Sequence, residues 1–285
     1  MSFRLYHGVC AASFAATLLC LPVGGMAQGR GGNAAARQAA LDAAAQKPTP
    51  KTADGHPDLD GYWDAPNLTP DSFYKQDDGK TTYLFGKDFG GPKKTLAAPP
   101  PDPNPPSYKP EFQDKVKDLG IHSESAIDPA WNCKSLGVPR LGPPRQIVQA
   151  PGMVVFIYQI DAGSGTTPGN EVRVVPTDGR PHRTDVDPTP WGDSIGHWEG
   201  DTLVVDTTGI STDNWMGSRG YIHSRALHVT ERITRKGDTL HYEATAEDPN
   251  MLTKPWALTP RTLIYTNEIV VPNPVCSERD TANIQ

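Results

Sequence analysis

The sequence lacks a second long apolar run, a dominant charge of one sign and any abundance of cysteine. Beyond residue 23 no apolar stretch approaches the roughly 20 residues that a spanning helix needs, so no membrane span is expected. With 27 Lys+Arg against 33 Asp+Glu, the formal charge is −6. No basic excess exists to neutralise phosphates, which argues against a nucleic-acid partner. Several motifs are also missing. No Walker or G-x-G-x-x-G loop opens a helix, so nucleotide binding is not expected. No G-x-S-x-G elbow, HExxH, HxH or CxxC occurs.

What is abundant is punctuation. The 285 residues include 29 Pro and 27 Gly. Such frequent breaks exclude a mostly helical fold and favour short strands joined by turns. Hydrophobic residues at 36% and charged residues at 21% exclude a disordered tail. The length is ample for a hydrophobic core.

The N-terminus reads as an export address. Arg4 precedes an uncharged run from Val9 to Val23, and Gly25-Met26-Ala27 offers small residues at a cleavage site. Residues 1–27 are therefore expected to be a signal peptide, and the location periplasmic or secreted. Cleavage after Ala27 would remove Cys10 and Cys20 and leave Cys133 and Cys276. In an oxidising compartment that pair reads as one disulfide. A thiol nucleophile or a metal-ligating pair is the rival reading.

Residues 28–46 are Gly- and Ala-rich, 33–46 can form a helix, and Pro48-Thr-Pro50 ends it, within a segment 28–57. With almost no large apolar side chain to bury, it is expected to be a flexible tether. A single β-rich domain is expected over 58–280. Leu59-Asp-Gly-Tyr-Trp63 reads as an opening strand. The segment 93–110 carries so many prolines that it must be extended, as a strap or a lid. Asp128 is placed to cap a short helix with Pro129 at its first position.

From 146 onward strand signals recur at hairpin spacing. They cover 147–149, 153–158, 171–175, 194–198, 202–206, 227–235, 239–247 and 261–271. The expected fold is mainly β: an antiparallel meander closing into a lipocalin-like β-barrel, which removes sheet edges. Alternation puts Leu227, Val229, Glu231 and Ile233 on one face of their strand. Glu231 thus falls on the apolar face and needs a partner. It is either paired with an inward Arg or a catalytic acid or base.

His182, His197, His223 and His228 cluster in sequence at strand ends and turns. Histidine is the usual proton carrier near neutral pH and a common metal ligand. These four, with Glu231, are the candidate catalytic residues; surface or structural roles are the alternative. No cofactor is called for, although a zinc or copper ion held by the histidines fits the residue types. Arg180 and Arg232 are candidates to hold an anionic or oxygen-rich substrate. Trp198 and Trp215 could stack on a sugar or aromatic ring, or fill the core.

The run from Gly192 to Thr207, GDSIGHWEGDTLVVDT, is accompanied by Asp178-Gly-Arg-Pro-His182, His223-Ser224, Leu227-His228 and Glu231-Arg232. Asp248-Pro249, Pro255-Trp256 and the early Asp58-Leu-Asp-Gly-Tyr-Trp63 extend the pattern. Together they resemble a widespread family of uncharacterised secreted bacterial proteins. The resemblance implies a β-rich exported domain and brings no activity with it. Ser277 stands where that family commonly has a His after its last Cys.

Two function classes follow. One is a periplasmic hydrolase or lyase using a His/acid site in a barrel mouth on a carbohydrate or aromatic substrate. The other is a lipocalin-like binding protein that holds a small molecule without catalysis. Either way the expected partner is a small molecule.

Overall fold

A computed structural model describes residues 34–64, 75–76, 81–82, 102–121, 127–158 and 170–267. Two helices, α1 (Ala34–Ala45) and α2 (Pro110–Ile121), accompany a set of strands. These are β1 (Gly61–Asp64), β2 (Lys75–Gln76), β3 (Thr81–Thr82), β4 (Gln146–Ala150), β5 (Met153–Tyr158) and β6 (Glu171–Pro176). They continue with β7 (Asp193–Glu199), β8 (Thr202–Thr208), β9 (His228–Lys236), β10 (Thr239–Glu247), β11 (Trp256–Ala257) and β12 (Arg261–Thr266).

The expected β fold is present. Nine strands run in the order β6-β5-β4-β1-β12-β10-β9-β8-β7, with β11 pairing only β10 and β2 pairing β3 as a separate ribbon. Followed around the ring, this is an up-and-down meander whose first and last long strands, β1 and β12, pair with each other. Every ladder in it is antiparallel. An odd number of strands cannot alternate all the way round a ring. The two ends, β6 and β7, must therefore point the same way, and no ladder joins them. The sheet is a nearly closed barrel with one parallel joint.

Side chains hold that joint. At Gly196 of β7 a Cβ would lie 3.0 Å from Val175 and 3.1 Å from Thr177, so the strands approach through the missing side chain. At the other end the Trp191 indole N–H donates to the Glu171 carboxylate at 2.6 Å. The segment 177–192 makes the crossing between them, and Gly192 closes it with φ +65. A Cβ there would lie 2.4 Å from the Thr208 carbonyl oxygen.

The barrel interior is filled. Leu59, Trp63, Ile147, Phe156, Leu203, Ile233, Leu240 and Leu263 pack there with almost no exposure. Each such side chain contributes about 1.5–3 kcal/mol on leaving water. The alternation read in β9 holds: Val229, Glu231, Ile233 and Arg235 point inward, and His228, Thr230 and Arg232 outward. A second cluster outside one end joins Tyr108 and Val116 to Met216, Tyr221, Leu227 and Leu252.

Three expectations need correction or completion. First, residues 45–57 are not a loose tether. The end of α1 docks on the β9–β10 turn, where Asp238 N–H donates to the Ala44 carbonyl at 3.0 Å and Lys47 pairs with Asp238 at 2.6 Å. The sequence hid this because the docking of α1 uses backbone groups and the small, buried side chain of Ala44. Second, the Pro-rich stretch is a strap in its described part. Lys109 N–H bonds the Met251 carbonyl, Thr253 N–H bonds that of Ser107, and Trp256 Nε1 donates to that of Asn104. Third, α2 escaped notice because it buries only Val116, which leaves no periodic stripe. The cap at Asp128 is as expected: its side chain accepts from Ala130 N–H at 3.0 Å, over a 3-10 turn at Pro129–Asn132. Residues 268–271 of the last expected strand, and Cys276, lie outside the described residues.

Candidate functional site

The crossing segment meets β7 and β8 through His182, and the outward positions of β9 and β10 continue beside them. Asp206 on β8 projects outward because Leu203 and Val205 take the inward positions. His228 on β9 faces the same way. His182 reaches them from the crossing segment, whose course is fixed by the joint.

The three side chains share one carboxylate. His182 Nε2 lies 2.6 Å from Asp206 Oδ1, and His228 Nε2 lies 2.6 Å from Asp206 Oδ2. The other nitrogen of His182 meets Asp193 Oδ2 at 2.9 Å. Asp193 also accepts from Arg183 Nε at 2.6 Å and from Arg183 N–H at 3.0 Å. On the far side, His228 Nδ1 stands 3.5 Å from Glu247 Oε2.

This geometry assigns protonation. Both ring nitrogens of His182 face carboxylates, which only accept hydrogen bonds, so both contacts are made when the ring carries two protons. Burial alone would push its pKa down. The bonds and charges of Asp206 and Asp193 outweigh burial and hold it above the ordinary value. Asp206 is also partly desolvated, which would raise it, but His182 and His228 hold it below the usual carboxylate range. Asp193 is pulled down in the same sense by Arg183 and His182. His182 therefore favours the cationic form, in which it donates to both carboxylates. His228 keeps one ring nitrogen, Nδ1, toward the half-exposed Glu247 and solvent. A histidine oriented by a carboxylate through one ring nitrogen is an arrangement that general acid–base chemistry uses.

The other sequence candidates are elsewhere. His197 is on the surface, 59% exposed, and its ring meets Glu199 at 3.2 Å. His223 is buried, its Nδ1 bonded to the Ser224 carbonyl, and burial pushes its pKa down. Glu231 points into the barrel, on the face of β9 opposite His228. There Arg173 Nη2 pairs with it and Tyr242 donates to it at 2.8 Å. The Arg173 guanidinium sits 5.1 Å over the Phe156 ring and 5.8 Å over that of Tyr158. The inward Arg that Glu231 needed is thus Arg173. Trp215 is 4% exposed, so it presents no face for a ligand and belongs to the core. Trp198 stacks on His56 at 4.5 Å. Arg232 pairs with Glu199 at 2.8 Å, and Arg180 is bound to Asp178 through Nε and Nη2.

Sequence reasoning missed Asp193, Asp206, Arg183 and Glu247. Asp206 had a signal. Alternation from the inward Val205 puts it outward, opposite the face that fills the core. Among the described residues, no group of three or more His, Cys, Asp or Glu side chains is disposed to hold a metal ion. Asp206 instead lies between the two rings and takes one on each oxygen.

Beside this cluster, along the parallel joint, runs a groove of about 350 Å³. Val172, Val174, Arg183, Trp191, Asp193 and Ser194 line it, with others. No family model, no curated protein and no solved structure matches the chain.

Proposed function

We propose that the chain is an exported enzyme, a periplasmic or secreted hydrolase or lyase, whose proton-handling residue is His228. The observation that carries this reading is the Asp206 carboxylate shared at 2.6 Å by two imidazoles. Asp206 orients His228 through Nε2 and stabilises the imidazolium that forms when Nδ1 takes a proton. His182, held as a cation, keeps Asp206 ionised and in place. In this reading His228 is the catalytic residue, and His182, Asp193 and Asp206 position it. The substrate class is an aromatic or a carbohydrate, and no cofactor is required by the residues that form the site.

The export reading rests on the N-terminal pattern of residues 1–27. The Cys133–Cys276 disulfide fits an oxidising compartment. Membership in the secreted bacterial family rests on the Gly192–Thr207 motif, which supplies both Asp193 and Asp206.

A binding protein without catalysis is the second reading, favoured by the groove along the joint. A ligand inside the barrel fits poorly, because Trp63, Phe156, Leu203 and Leu263 occupy that space. The deciding experiment is a turnover screen of the protein purified from a periplasm, using aryl esters, aryl ethers and glycosides. The catalytic reading requires turnover that His228→Ala and Asp206→Asn each reduce about 10²–10⁴-fold with the circular dichroism spectrum unchanged. Turnover that survives His228→Ala overturns it. Native mass spectrometry of the same sample tests for a retained metal.

A further inference from the structure

The groove along the parallel joint has a chemistry of its own. Its β6 wall carries Val172 and Val174, which are 56% and 52% exposed. Exposed aliphatic side chains in a row on a strand form a surface that apolar ligands dehydrate at little loss. Its opposite lip carries Arg183, whose side chain is 62% exposed. Arg183 spends its Nε and backbone N–H on Asp193. Its two terminal nitrogens make no hydrogen bond among the described residues, so the guanidinium keeps an open edge. Such an edge matches a carboxylate.

Most of the other polar side chains of the groove are already engaged: Arg180 is paired with Asp178, and Arg173 with Glu231, although the buried Arg173 Nε and Nη1 have no partner among the described residues. Trp191 Nε1 donates to Glu171, Ser194 Oγ pairs with Thr207 Oγ1 at 3.0 Å, and Thr189 Oγ1 bonds the Gly192 carbonyl. A sugar would bring many hydroxyls to a wall with few free partners, and each would lose its water without replacement. A dianion would meet the Asp193 carboxylate beside Arg183. A monoanion with an apolar body meets neither obstacle.

We infer that the β6–β7 groove binds an aromatic carboxylate, its ring against Val172 and Val174 and its carboxylate on Arg183. This narrows the substrate class of the proposed enzyme and rests on that reading only for the chemical step. Asp193 belongs both to the groove and to the His182 cluster, which joins the two sites.

The test is calorimetric titration of the full protein with 3-phenylpropanoate, 3-phenylpropanol and glucuronate. The acid is expected to bind at least tenfold more tightly than either the alcohol or the sugar acid. Arg183→Gln should erase the preference for acid over alcohol. Val172→Asp should abolish binding, and the milder Val172→Thr should weaken it. His228→Ala should leave binding within about twofold, so a groove that binds without turnover is distinguishable from a groove that does not bind. Glucuronate binding as tightly as phenylpropanoate, or Arg183→Gln leaving the acid preference intact, overturns the inference. So does Val172→Asp altering only the oligomeric state, which would make the aliphatic face a protein interface.

Discussion

His182, on the segment that crosses from β6 to β7, meets Asp206 of β8 at 2.6 Å, beside the joint where β6 and β7 share no backbone ladder. The residue that anchors the candidate site is therefore also a clasp on the joint. The crossing segment is tied to β7 through Asp193 and to β8 through Asp206 by a single ring.

Stability should depend on pH through this clasp. The folded state raises the pKa of His182 above 6.5, so it binds that proton more tightly than the unfolded chain. The contribution is complete below about pH 6.5 and is lost as pH climbs through the raised value. Asp193 and Asp206 are lowered from 3.8, so their contribution is complete above that value and is lost as pH falls through their folded pKa values. The clasp is strongest between these limits. His182→Gln should lower stability by about 1–3 kcal/mol near pH 5, with the gap to the parent narrowing by pH 8. Urea melts of both proteins across that range check this. The buried His223 has a lowered pKa and gives a slope of opposite sign, present equally in both proteins.

The inward pair should be costly to break. Arg173 and Glu231 are almost wholly buried, so removing one leaves an uncompensated charge in the core. Glu231→Ala is expected to cost about 3–5 kcal/mol, measured by urea denaturation, and to act through stability alone. Loss of turnover in a Glu231→Ala protein that stays folded would restore Glu231 to the catalytic set.

The two surface histidines should separate in activity. His228→Ala is expected to lose turnover, whereas His197→Ala should keep the parent rate, because its ring meets only Glu199. Steady-state rates of the two variants on one substrate decide it.

The close approach at Gly196 should admit no side chain. Gly196→Val would place atoms inside contact distance of Val175 and Thr177 and push β6 from β7. A loss of about 1–3 kcal/mol is expected, read as a lower melting temperature.

Much of the barrel was legible because its strands are amphipathic. Alternation from Val229 to Arg235 and from Leu240 to Ala246 set faces and hairpins together, and it put Glu231 on the inward face, where it needs a partner. The parallel joint was not legible, because it follows from the number of strands and from the pairing of β1 with β12. His182 and His228 were named from residue type. Their partners Asp193 and Asp206 were passed over, since a carboxylate on an outward strand position reads as a solvated surface group. Only the crossing of 177–192 brings His182 over them. His197 has the same sequence credentials as His228 and differs only in where it lands on the outer face.

The central claim is that Asp206 holds His182 as an imidazolium and orients His228. The direct measurement is a pH titration of the imidazole nitrogens by NMR on ¹⁵N-histidine-labelled protein, parent against Asp206→Asn. The account predicts that the His182 midpoint lies above 6.5, and that the asparagine variant brings it down. A His182 ring that titrates with an ordinary midpoint in the parent, unmoved by Asp206→Asn, would contradict it.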